Sequence, residues 1–287
     1  MISGRTKICG LIGDPVEHSM SPAMHNSAFK DSGLYYIYLP FKVKKEQLER
    51  AILGIKALNI KGVNVTIPHK ISVIPFLDEL DPLAEKIGAV NTIINNNGVL
   101  KGYNTDAHGF LKAMSERGIS PEGKRIVILG AGGASRAISF ILADKGASLV
   151  ILNRKLELDQ AVELAASISQ TFGGEIKALE LNEPNLKQAL ENSDILVNTT
   201  SVGMSPNVDK TTVPSGLLKA DLIVFDIVYN PLKTKLLAEA EAAGAGVISG
   251  LEMLVWQGAL AFEMWTGLKA SLETMRKAAI RVLENES

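Results

Sequence analysis

The sequence predicts an α/β protein with two domains, one built on a mixed sheet and one on a doubly wound parallel sheet. Short apolar runs alternate with longer segments of helical period along the chain, which is the pattern that βα units produce. The run AVNTIINNNGVLKGYNTD adds two short strands about a turn at Asn95 to Gly98, which predicts an antiparallel hairpin. The length of 287 residues suits two domains at about 150 residues each.

Composition excludes several classes of partner. Lysine and arginine total 30 against 31 for aspartate and glutamate, a formal net charge of -1, so the chain has no bulk attraction for nucleic acid or anionic lipid. It is 46% hydrophobic and 21% charged, as a globular chain is, and no apolar run approaches the roughly 18 residues of a spanning helix. One cysteine, Cys9, cannot form an intrachain disulfide or a multi-thiolate metal site. We expect a cytoplasmic protein with no nucleic-acid or membrane partner.

The first domain is predicted over residues 1–110. A buried strand at 7–12 ends at the Gly13–Asp14–Pro15 turn, and Ser21 is expected to cap a helix over 22–32, with Pro22 in its first position and Gly33 after its end. The same signals predict a strand at 35–40, a helix at 45–58, a strand at 62–67 that Pro68 ends, and a helix near 83–87. The hairpin follows, and we expect it at an antiparallel edge of the sheet.

The second domain is predicted over residues 111–250, after a polar stretch at 116–124 that contains glycine and proline. Strands are predicted at 125–130, 148–153, 194–199, 222–227 and 246–248, and helices at 135–145 and 158–169. Residues 251–287 have helical period and are rich in Trp, Met and Phe, more than one sheet face requires. We expect them to pack back onto the first domain and complete it.

A glycine-rich turn stands where a strand meets a helix. The strand RIVILG runs into AGGAS, which places six small residues at a predicted helix N-terminus: Gly130, Ala131, Gly132, Gly133, Ala134 and Ser135. A Rossmann domain brings a dinucleotide pyrophosphate against such a turn. Ser135 occupies the third glycine position of the usual pattern, where a small residue still lets helix approach strand. The alternative is a glycine turn that binds no ligand.

The end of the next strand indicates the type of dinucleotide. SLVILNRK ends at Asn153, Arg154 and Lys155, where an NAD site would place an acidic residue against the ribose 2′-hydroxyl. Two cations suit a 2′-phosphate instead, because a guanidinium group binds phosphate oxygens bidentately. We therefore expect NADP as the cofactor; the alternative is a solvated basic strand end.

Hydride transfer to or from an alcohol also needs a group that exchanges the hydroxyl proton. Lys70 follows a predicted strand in NVTIPHK, and Asp106 ends the motif GYNTD, so both stand at the edges of elements. Alone they would be ordinary surface charges. Short polar side chains beside apolar strands surround them in the sequence and are awkward to bury without a ligand: Asn64, Thr66, Asn91, Asn104 and Thr105.

Most of the other conspicuous side chains are expected to have structural roles. The histidines at 18, 25, 69 and 108 are scattered and form no metal-ligand cluster, so we expect no metal. The aromatic residues of the last segment, among them Trp256 and Trp265, are expected to belong to the core. Tyr229 follows an apolar strand, and it could reach a substrate or bury its hydroxyl against the backbone.

Eight sequence blocks resemble the shikimate dehydrogenase family along nearly the whole chain. They are GDPVEHSMSPAMHN at 13–26, NVTIPHK at 64–70, GAVNT at 88–92, GYNTDAHGF at 102–110, GAGGASRA at 130–137, NTTSVGM at 198–204, DIVYNPLKT at 226–234 and GLEMLVWQGALAFEMWTG at 250–267. The resemblance implies an enzyme that reversibly reduces 3-dehydroshikimate to shikimate with NADPH, a step of aromatic amino acid biosynthesis.

The resemblance also implies roles for individual residues. It assigns the substrate carboxylate to Ser19 and Ser21, and the ring hydroxyls to Asn64, Thr66, Asn91 and Gln257. It makes Lys70 and Asp106 the catalytic pair, with Asp106 also beside the substrate and Tyr229 reaching it. Ile227 and Gly250 would line the nicotinamide, and residues 130–135, Asn153 and Arg154 would hold the phosphates and adenosine. The family often has threonine where this chain has Lys155.

Two other functions remain open from the sequence. A quinate and shikimate dehydrogenase of dual specificity would accept NAD and tolerate an extra ring hydroxyl. A catalytically silent NADP sensor on the same fold is the alternative of another class, because fold does not fix function. The sequence also leaves open whether the last helices only close the core or pair two chains in a homodimer.

Overall fold

The computed structural model describes residues 2–174 and 176–286, so Met1, Glu175 and Ser287 lie outside it. The chain divides into two compact units: Met1–Gly109 with Val255–Ser287, and Phe110–Leu254. The strands are β1 (Lys7–Gly13), β2 (Tyr36–Lys42), β3 (Gly62–Val65), β4 (Glu79–Leu80), β5 (Thr92–Asn96), β6 (Val99–Tyr103), β7 (Arg125–Leu129), β8 (Ser148–Asn153), β9 (Lys177–Glu180), β10 (Ile195–Asn198), β11 (Ile223–Asp226) and β12 (Gly246–Ser249). The helices are α1 (Ser21–Asp31), α2 (Leu48–Ala57), α3 (Pro82–Ile87), α4 (Thr105–Ser115), α5 (Gly133–Asp144), α6 (Leu158–Phe172), α7 (Glu183–Glu191), α8 (Lys235–Ala242), α9 (Gly250–Thr266) and α10 (Leu272–Glu286).

The first unit contains a mixed six-stranded sheet in the order β2-β1-β3-β5-β6-β4. Strand β1 pairs in parallel with β2 and β3, whereas β3 with β5, and β5 with β6, are antiparallel. Buried aliphatic side chains from β1, α2, β3 and β5, such as Ile12, Ile52, Val63 and Ile93, form the core on one side of this sheet. The predicted mixed α/β sheet is confirmed.

The hairpin of β5 and β6 does not form the edge of the sheet, so that prediction was wrong. Strand β4 pairs in parallel with β6 and takes the edge position. The Asp78 carboxylate accepts a hydrogen bond from the Leu100 backbone N–H at 2.6 Å, and the Asp78 N–H donates to the Leu100 carbonyl at 3.0 Å. A two-residue strand has no periodicity to detect, which is why the sequence did not reveal it.

Ser21 does not cap α1, contrary to the prediction. The N-cap residue is Met20, without a side-chain cap, and Ser21 is the first helical residue and is buried. Its backbone N–H instead donates to the Ser19 hydroxyl at 3.3 Å. An N–H of the first helical turn has no partner within the helix, and the serine two residues earlier supplies one.

The C-terminal helices complete the first unit. Helix α10 packs against α1, and the Trp265 indole N–H on α9 donates to the Ile93 carbonyl at 3.1 Å. The Trp265 ring crosses β3 at Gly62, where a Cβ atom would lie 2.2 Å from the indole nitrogen. Glycine is therefore required at this position for the helix to cover the sheet.

The second unit contains six parallel strands in the order β12-β11-β10-β7-β8-β9. The chain builds outward from β7 through β8 to β9, then returns to place β10 on the other side of β7. This reversal is the topological switch point of a doubly wound sheet, and ligands bind beside it at the carboxyl ends of the strands. The predicted parallel sheet is confirmed, although β9, α7 and α8 were not predicted. Strand β9 is a partly exposed edge strand with mixed polarity, KALE, so it lacks the apolar run of its neighbours.

No helix in the described part of the chain is both long and apolar enough to cross a membrane.

Candidate active site

Lys70 and Asp106 form an ion pair in the first unit. Their Nζ and Oδ2 atoms are 2.6 Å apart, and the side chains are 17% and 9% exposed. Lys70 follows β3, and its carbonyl accepts a hydrogen bond from the Val90 N–H at 2.7 Å, which ties this loop to the segment before β5. The structure therefore joins two side chains that are 36 residues apart in sequence.

Asp106 lies in the first turn of α4, a helix that was not predicted from the sequence. Asn104 precedes it: the Asn104 Oδ1 accepts from the Ala107 N–H at 3.1 Å, and its Nδ2 donates to the Ala89 carbonyl at 2.9 Å. The signal was available, because an asparagine before a segment of helical period is a typical N-cap. The positive end of the helix dipole favours the negative charge of Asp106.

The buried amides of Asn64 and Asn91 belong to one hydrogen-bonded network beside this pair. The Asn64 amide contacts the Tyr38 hydroxyl, at 2.7 Å, and the Thr92 hydroxyl, at 3.0 Å. The Asn91 amide contacts the backbone N–H of Thr105 at 2.6 Å and its hydroxyl at 3.0 Å. Because Thr105 precedes Asp106 directly, the network holds the two amides in fixed positions relative to the ion pair. Tyr38 and Thr92 were missed from the sequence because each was taken as a strand residue.

Gln257 is buried on α9, against α4. A Cβ atom at Gly109 would lie 2.8 Å from the Gln257 backbone nitrogen and 2.9 Å from its Cβ, so the two helices meet at this glycine. Gly109 is three residues after Asp106, on the same face of α4. The contact thus places Gln257 on the side of α4 that carries the carboxylate.

Ser19 and Thr66 are half-buried, and Ser21 is buried. Thr66 lies against the end of β1: its N–H donates to the Ile12 carbonyl at 3.0 Å, and a Cβ at Gly13 would lie 2.3 Å from its methyl group. The loop after β1 and the loop after β3 therefore meet.

Two of the four histidines, His25 and His69, are buried. His25 stacks on Tyr38 with ring centroids 4.4 Å apart, and burial lowers the pKa of His25 to about 3, so the ring is neutral. The His69 Nε2 contacts the Val43 carbonyl at 2.6 Å. Within residues 2–174 and 176–286, no group of three or more His, Cys, Asp and Glu side chains could hold a metal ion.

The glycine-rich turn of the second unit has the form that a pyrophosphate requires. Gly130 has φ +99, a conformation that favours glycine, and the Ser135 hydroxyl donates to its carbonyl at 2.7 Å. Gly132 is the N-cap of α5 without a side-chain cap, and a Cβ there would meet no atom within 4 Å. The space beside Gly132 is thus open at the N-terminus of α5, the end of a helix that favours an anion. Ala131, Gly133 and Ala134 complete the turn without a bulky side chain.

The end of β8 presents one buried amide and two exposed cations. Asn153 is buried, and its Nδ2 donates to the Glu157 carbonyl at 2.8 Å. The Arg154 side chain is 73% exposed and forms a two-bond pair with the Glu157 carboxylate, at 3.1 and 2.5 Å. Lys155 is also exposed. A surface ion pair of this kind contributes little to stability, so Arg154 can exchange Glu157 for a phosphate.

The backbone at Ile227, after β11, and at Gly250, at the start of α9, forms one closely packed surface, called the backbone wall below. Gly250 begins α9 so close to Ile227 that a Cβ would lie 2.2 Å from the Ile227 carbonyl oxygen and 2.7 Å from that of Val228. Tyr229, which follows, is half-buried. The structure therefore brings Ile227 and Gly250 together, as two surfaces that would line one side of a flat ring.

Asp226 supports this wall and was not identified from the sequence. Its carboxylate is fully buried and accepts hydrogen bonds from the Asn198 amide at 2.9 Å, the Val228 N–H at 3.1 Å and the Thr234 hydroxyl at 2.6 Å. Burial raises the pKa of Asp226 to about 6 from 3.8, against the opposing effect of these three donors.

This raised pKa predicts a pH-dependent stability. A carboxyl group that binds its proton more tightly in the folded state stabilises the fold fully below pH 3.8 and loses that contribution as the pH rises through about 6. The contribution is on the order of 3 kcal/mol. We expect the unfolding free energy of an Asp226→Asn variant to fall less steeply than that of the wild type between pH 4 and pH 6, as measured by urea denaturation. Equal slopes would show that Asp226 ionises as readily in the folded chain as in the unfolded one.

Family models match most of the chain in three segments. The model described as "Shikimate dehydrogenase substrate binding domain" matches residues 11–93, "Shikimate / quinate 5-dehydrogenase" matches residues 113–232, and "Shikimate 5'-dehydrogenase C-terminal domain" matches residues 250–280.

Individual proteins are similar over nearly the full length. The chain is 51% identical over 278 residues to a protein of Dehalococcoides mccartyi (strain CBDB1) named shikimate dehydrogenase (NADP(+)), with 96% of each chain covered. It is 50% identical over 285 residues to a protein of the same name from Methanopyrus kandleri, with 98% of each covered. A solved structure of a shikimate dehydrogenase in complex with NADP+ superposes with a TM-score of 0.92 at 47% identity, covering 98% of this chain and 97% of that one.

Proposed function

The chain belongs to the shikimate dehydrogenase family, and we propose that it catalyses the reversible, NADPH-dependent reduction of 3-dehydroshikimate to shikimate. This reaction is a step of the shikimate pathway, which supplies aromatic amino acids. The observation that carries the proposal is the partly buried Lys70–Asp106 pair within a set of neutral hydrogen-bonding side chains. A small acid and a soluble dinucleotide are both available in the cytoplasm, where we propose that the enzyme acts.

The neutral polar side chains of the first unit suit a substrate with one carboxylate and three hydroxyls. We propose that the Ser19 and Ser21 hydroxyls hold the carboxylate. The amides and hydroxyl proposed for the ring hydroxyls are Asn64, Asn91, Gln257 and Thr66, and Tyr229 is also proposed to bind the substrate. A site built from such groups rejects analogues that leave its buried polar atoms unpaired.

Lys70 exchanges the proton in this proposal. In the reductive direction its ammonium group donates a proton to the oxygen that becomes the hydroxyl, and in the oxidative direction its amine accepts that proton. Asp106, 2.6 Å away, holds the Lys70 Nζ in position. Its carboxylate also lies beside the substrate in this scheme.

The second unit is proposed to hold NADP. When bound, the nicotinamide supplies or accepts the hydride. The open first turn of α5 and the residues 130–135 suit its pyrophosphate, and Ile227 and Gly250 suit the face of the nicotinamide. Asn153, Arg154 and Lys155 suit the adenosine and its 2′-phosphate. The proposed reaction requires no metal.

Arg154 should determine the preference for NADP over NAD. In an Arg154→Ala variant we expect kcat/KM for NADP to fall about 10- to 100-fold, because a bidentate, charge-assisted contact with the 2′-phosphate is lost. The value for NAD should change little. Steady-state kinetics with both cofactors measures this, and Arg125→Ala provides a control, because Arg125 is an exposed arginine at the amino end of β7. Equal losses for NADP and NAD would contradict the assignment.

A four-way steady-state assay tests the proposed function itself. Purified protein is given shikimate or quinate with NADP or NAD, and reduced nicotinamide is followed by absorbance. We expect kcat/KM to be far higher for shikimate with NADP than for any other pair. Comparable turnover with quinate or NAD would establish the dual-specificity enzyme, and one matching family model names both substrates. Binding of NADP without turnover of any pair would establish a sensor.

A further inference from the structure

The orientation of the Asn64 amide is fixed by a backbone carbonyl. The Asn64 Nδ2 donates to the Asn91 carbonyl oxygen at 3.3 Å and to the Thr92 hydroxyl at 3.0 Å. Because a carbonyl only accepts hydrogen bonds, the amino end of Asn64 has to face it. The Asn64 Oδ1 therefore faces the Tyr38 hydroxyl, which donates to it at 2.7 Å.

These bonds determine what Asn64 offers to a ligand. An amide has two N–H donors and an oxygen with two lone pairs. Both N–H groups of Asn64 are engaged, and one lone pair accepts from Tyr38. A single acceptor position remains, so Asn64 can bind a hydroxyl that donates to it.

Asn91 has the opposite polarity. Its Oδ1 accepts from the Thr105 backbone N–H at 2.6 Å, which fixes the amide because an N–H only donates. The same oxygen also contacts the Thr92 and Thr105 hydroxyls, both at 3.1 Å, and the Nδ2 donates to the Thr105 hydroxyl at 3.0 Å. One N–H is left, so Asn91 offers a donor where Asn64 offers an acceptor.

Tyr38 is well placed to be a permanent donor. Its side chain is 1% exposed and its ring stacks on the neutral His25 ring. Burial raises the pKa of Tyr38 well above its ordinary value, so the hydroxyl keeps its proton.

We propose that Tyr38 is a positioning residue: the Asn91 backbone carbonyl fixes the orientation of the Asn64 amide, and the Tyr38 hydroxyl holds the Asn64 Oδ1 in place as an acceptor for one ring hydroxyl. The inference rests on the proposed function, because it names the group of the substrate that Asn64 recognises. It makes that hydroxyl a donor to Asn64 and another oxygen of the substrate an acceptor from Asn91.

Tyr38→Phe tests this, because it removes the hydroxyl and keeps the ring that stacks on His25. The matched control is Tyr36→Phe, two residues earlier on β2. The Tyr36 hydroxyl donates to the Trp265 carbonyl at 3.3 Å, and its ring packs on Phe29, so the control loses a comparable bond that does not reach Asn64. Binding of shikimate and of its three monodeoxy analogues, each lacking one ring hydroxyl, is measured by titration calorimetry on wild type and both variants.

The reference values are the losses of affinity that the wild-type protein shows when each ring hydroxyl in turn is missing from the ligand. In Tyr38→Phe we expect shikimate to bind about tenfold more weakly, as for a lost buried hydrogen bond. The affinity lost when one particular hydroxyl is missing should be smaller than in the wild type. The affinity lost with each of the other two hydroxyls should stay the same. Tyr36→Phe should reproduce all three wild-type losses. The selective change is the result that a merely structural role of Tyr38 would not produce.

Two results would overturn the inference and separate it from the proposed function. If Tyr38→Phe weakens all four ligands by one common factor, or leaves them all unchanged, Tyr38 does not position the Asn64 acceptor although shikimate is the substrate. If wild-type protein binds none of the four compounds, the proposed function fails, and the inference fails with it.

Discussion

Replacing Lys70 with alanine should reduce kcat by about 10²- to 10⁴-fold, the usual contribution of a positioned general acid or base, while KM for shikimate changes little. The expected pattern follows from the geometry. The Lys70 Nζ is held by Asp106 at the end of a short, partly buried pair, whereas the binding of the substrate falls to the neutral side chains around it. The loss should appear in both reaction directions, because the same nitrogen donates and accepts the proton.

The control for this experiment is Lys101→Ala. Lys101 lies on β6 of the same sheet and forms an ion pair with Glu79 at 3.4 Å, so its removal deletes a lysine and a surface pair away from the polar network. A Lys70→Ala variant with normal kcat and raised KM would show that Lys70 only binds the substrate. Circular dichroism and thermal denaturation of both variants separate a loss of chemistry from a loss of folded protein.

Replacing Gly250 with alanine should have the largest effect in the second unit. The added Cβ would lie 2.2 Å from the Ile227 carbonyl oxygen and 2.4 Å from its carbonyl carbon. Both atoms belong to the backbone, so no side chain can rotate to relieve the overlap, and either the start of α9 or the segment after β11 has to move. We expect the unfolding free energy to fall by at least about 2 kcal/mol, and KM for NADP to rise because the proposed nicotinamide wall is displaced.

Gly246→Ala is the matched control. It lies four residues earlier, at the start of β12, and a Cβ there would meet only the Ile223 side chain at 3.7 Å, an ordinary contact. Chemical denaturation and cofactor kinetics on the two variants give the comparison. A Gly250→Ala protein as stable and as tightly bound to NADP as Gly246→Ala would mean that the backbone accommodates the methyl group and that this wall is not a tight one.

Five of the six strands of the parallel sheet could be predicted because their runs, such as RIVIL and SLVILN, are mainly apolar and are bounded by polar or glycine residues. The glycine-rich turn could also be predicted, because its position between a strand and a helix is a local signal in the sequence. Strand β4 could not, because it exists only through pairing with β6, which is remote in sequence.

The residues of the candidate site also fall into two groups: those that stand out in the sequence and those that only the fold reveals. The polar residues beside strands, such as Asn64 and Asn91, stand out in an apolar sequence. Tyr38 does not, because an aromatic residue in a strand is typical of a core, and only the fold shows its hydroxyl at the Asn64 amide. Asp226 is hidden similarly, because its three donors come from separate segments of the second unit.

The two-part construction of the first unit has a consequence for how the protein is made. Strands β1 to β6 leave the ribosome well before α9 and α10, yet Gly62 and the Ile93 carbonyl meet their partner only when Trp265 arrives. Until then the nascent chain carries a sheet that lacks part of its apolar cover. The second unit, by contrast, is one continuous stretch, Phe110–Leu254, and all of it has been synthesised before Trp265. Domains usually mature from the N-terminus as they are translated; in this chain the unit that is begun first is completed last.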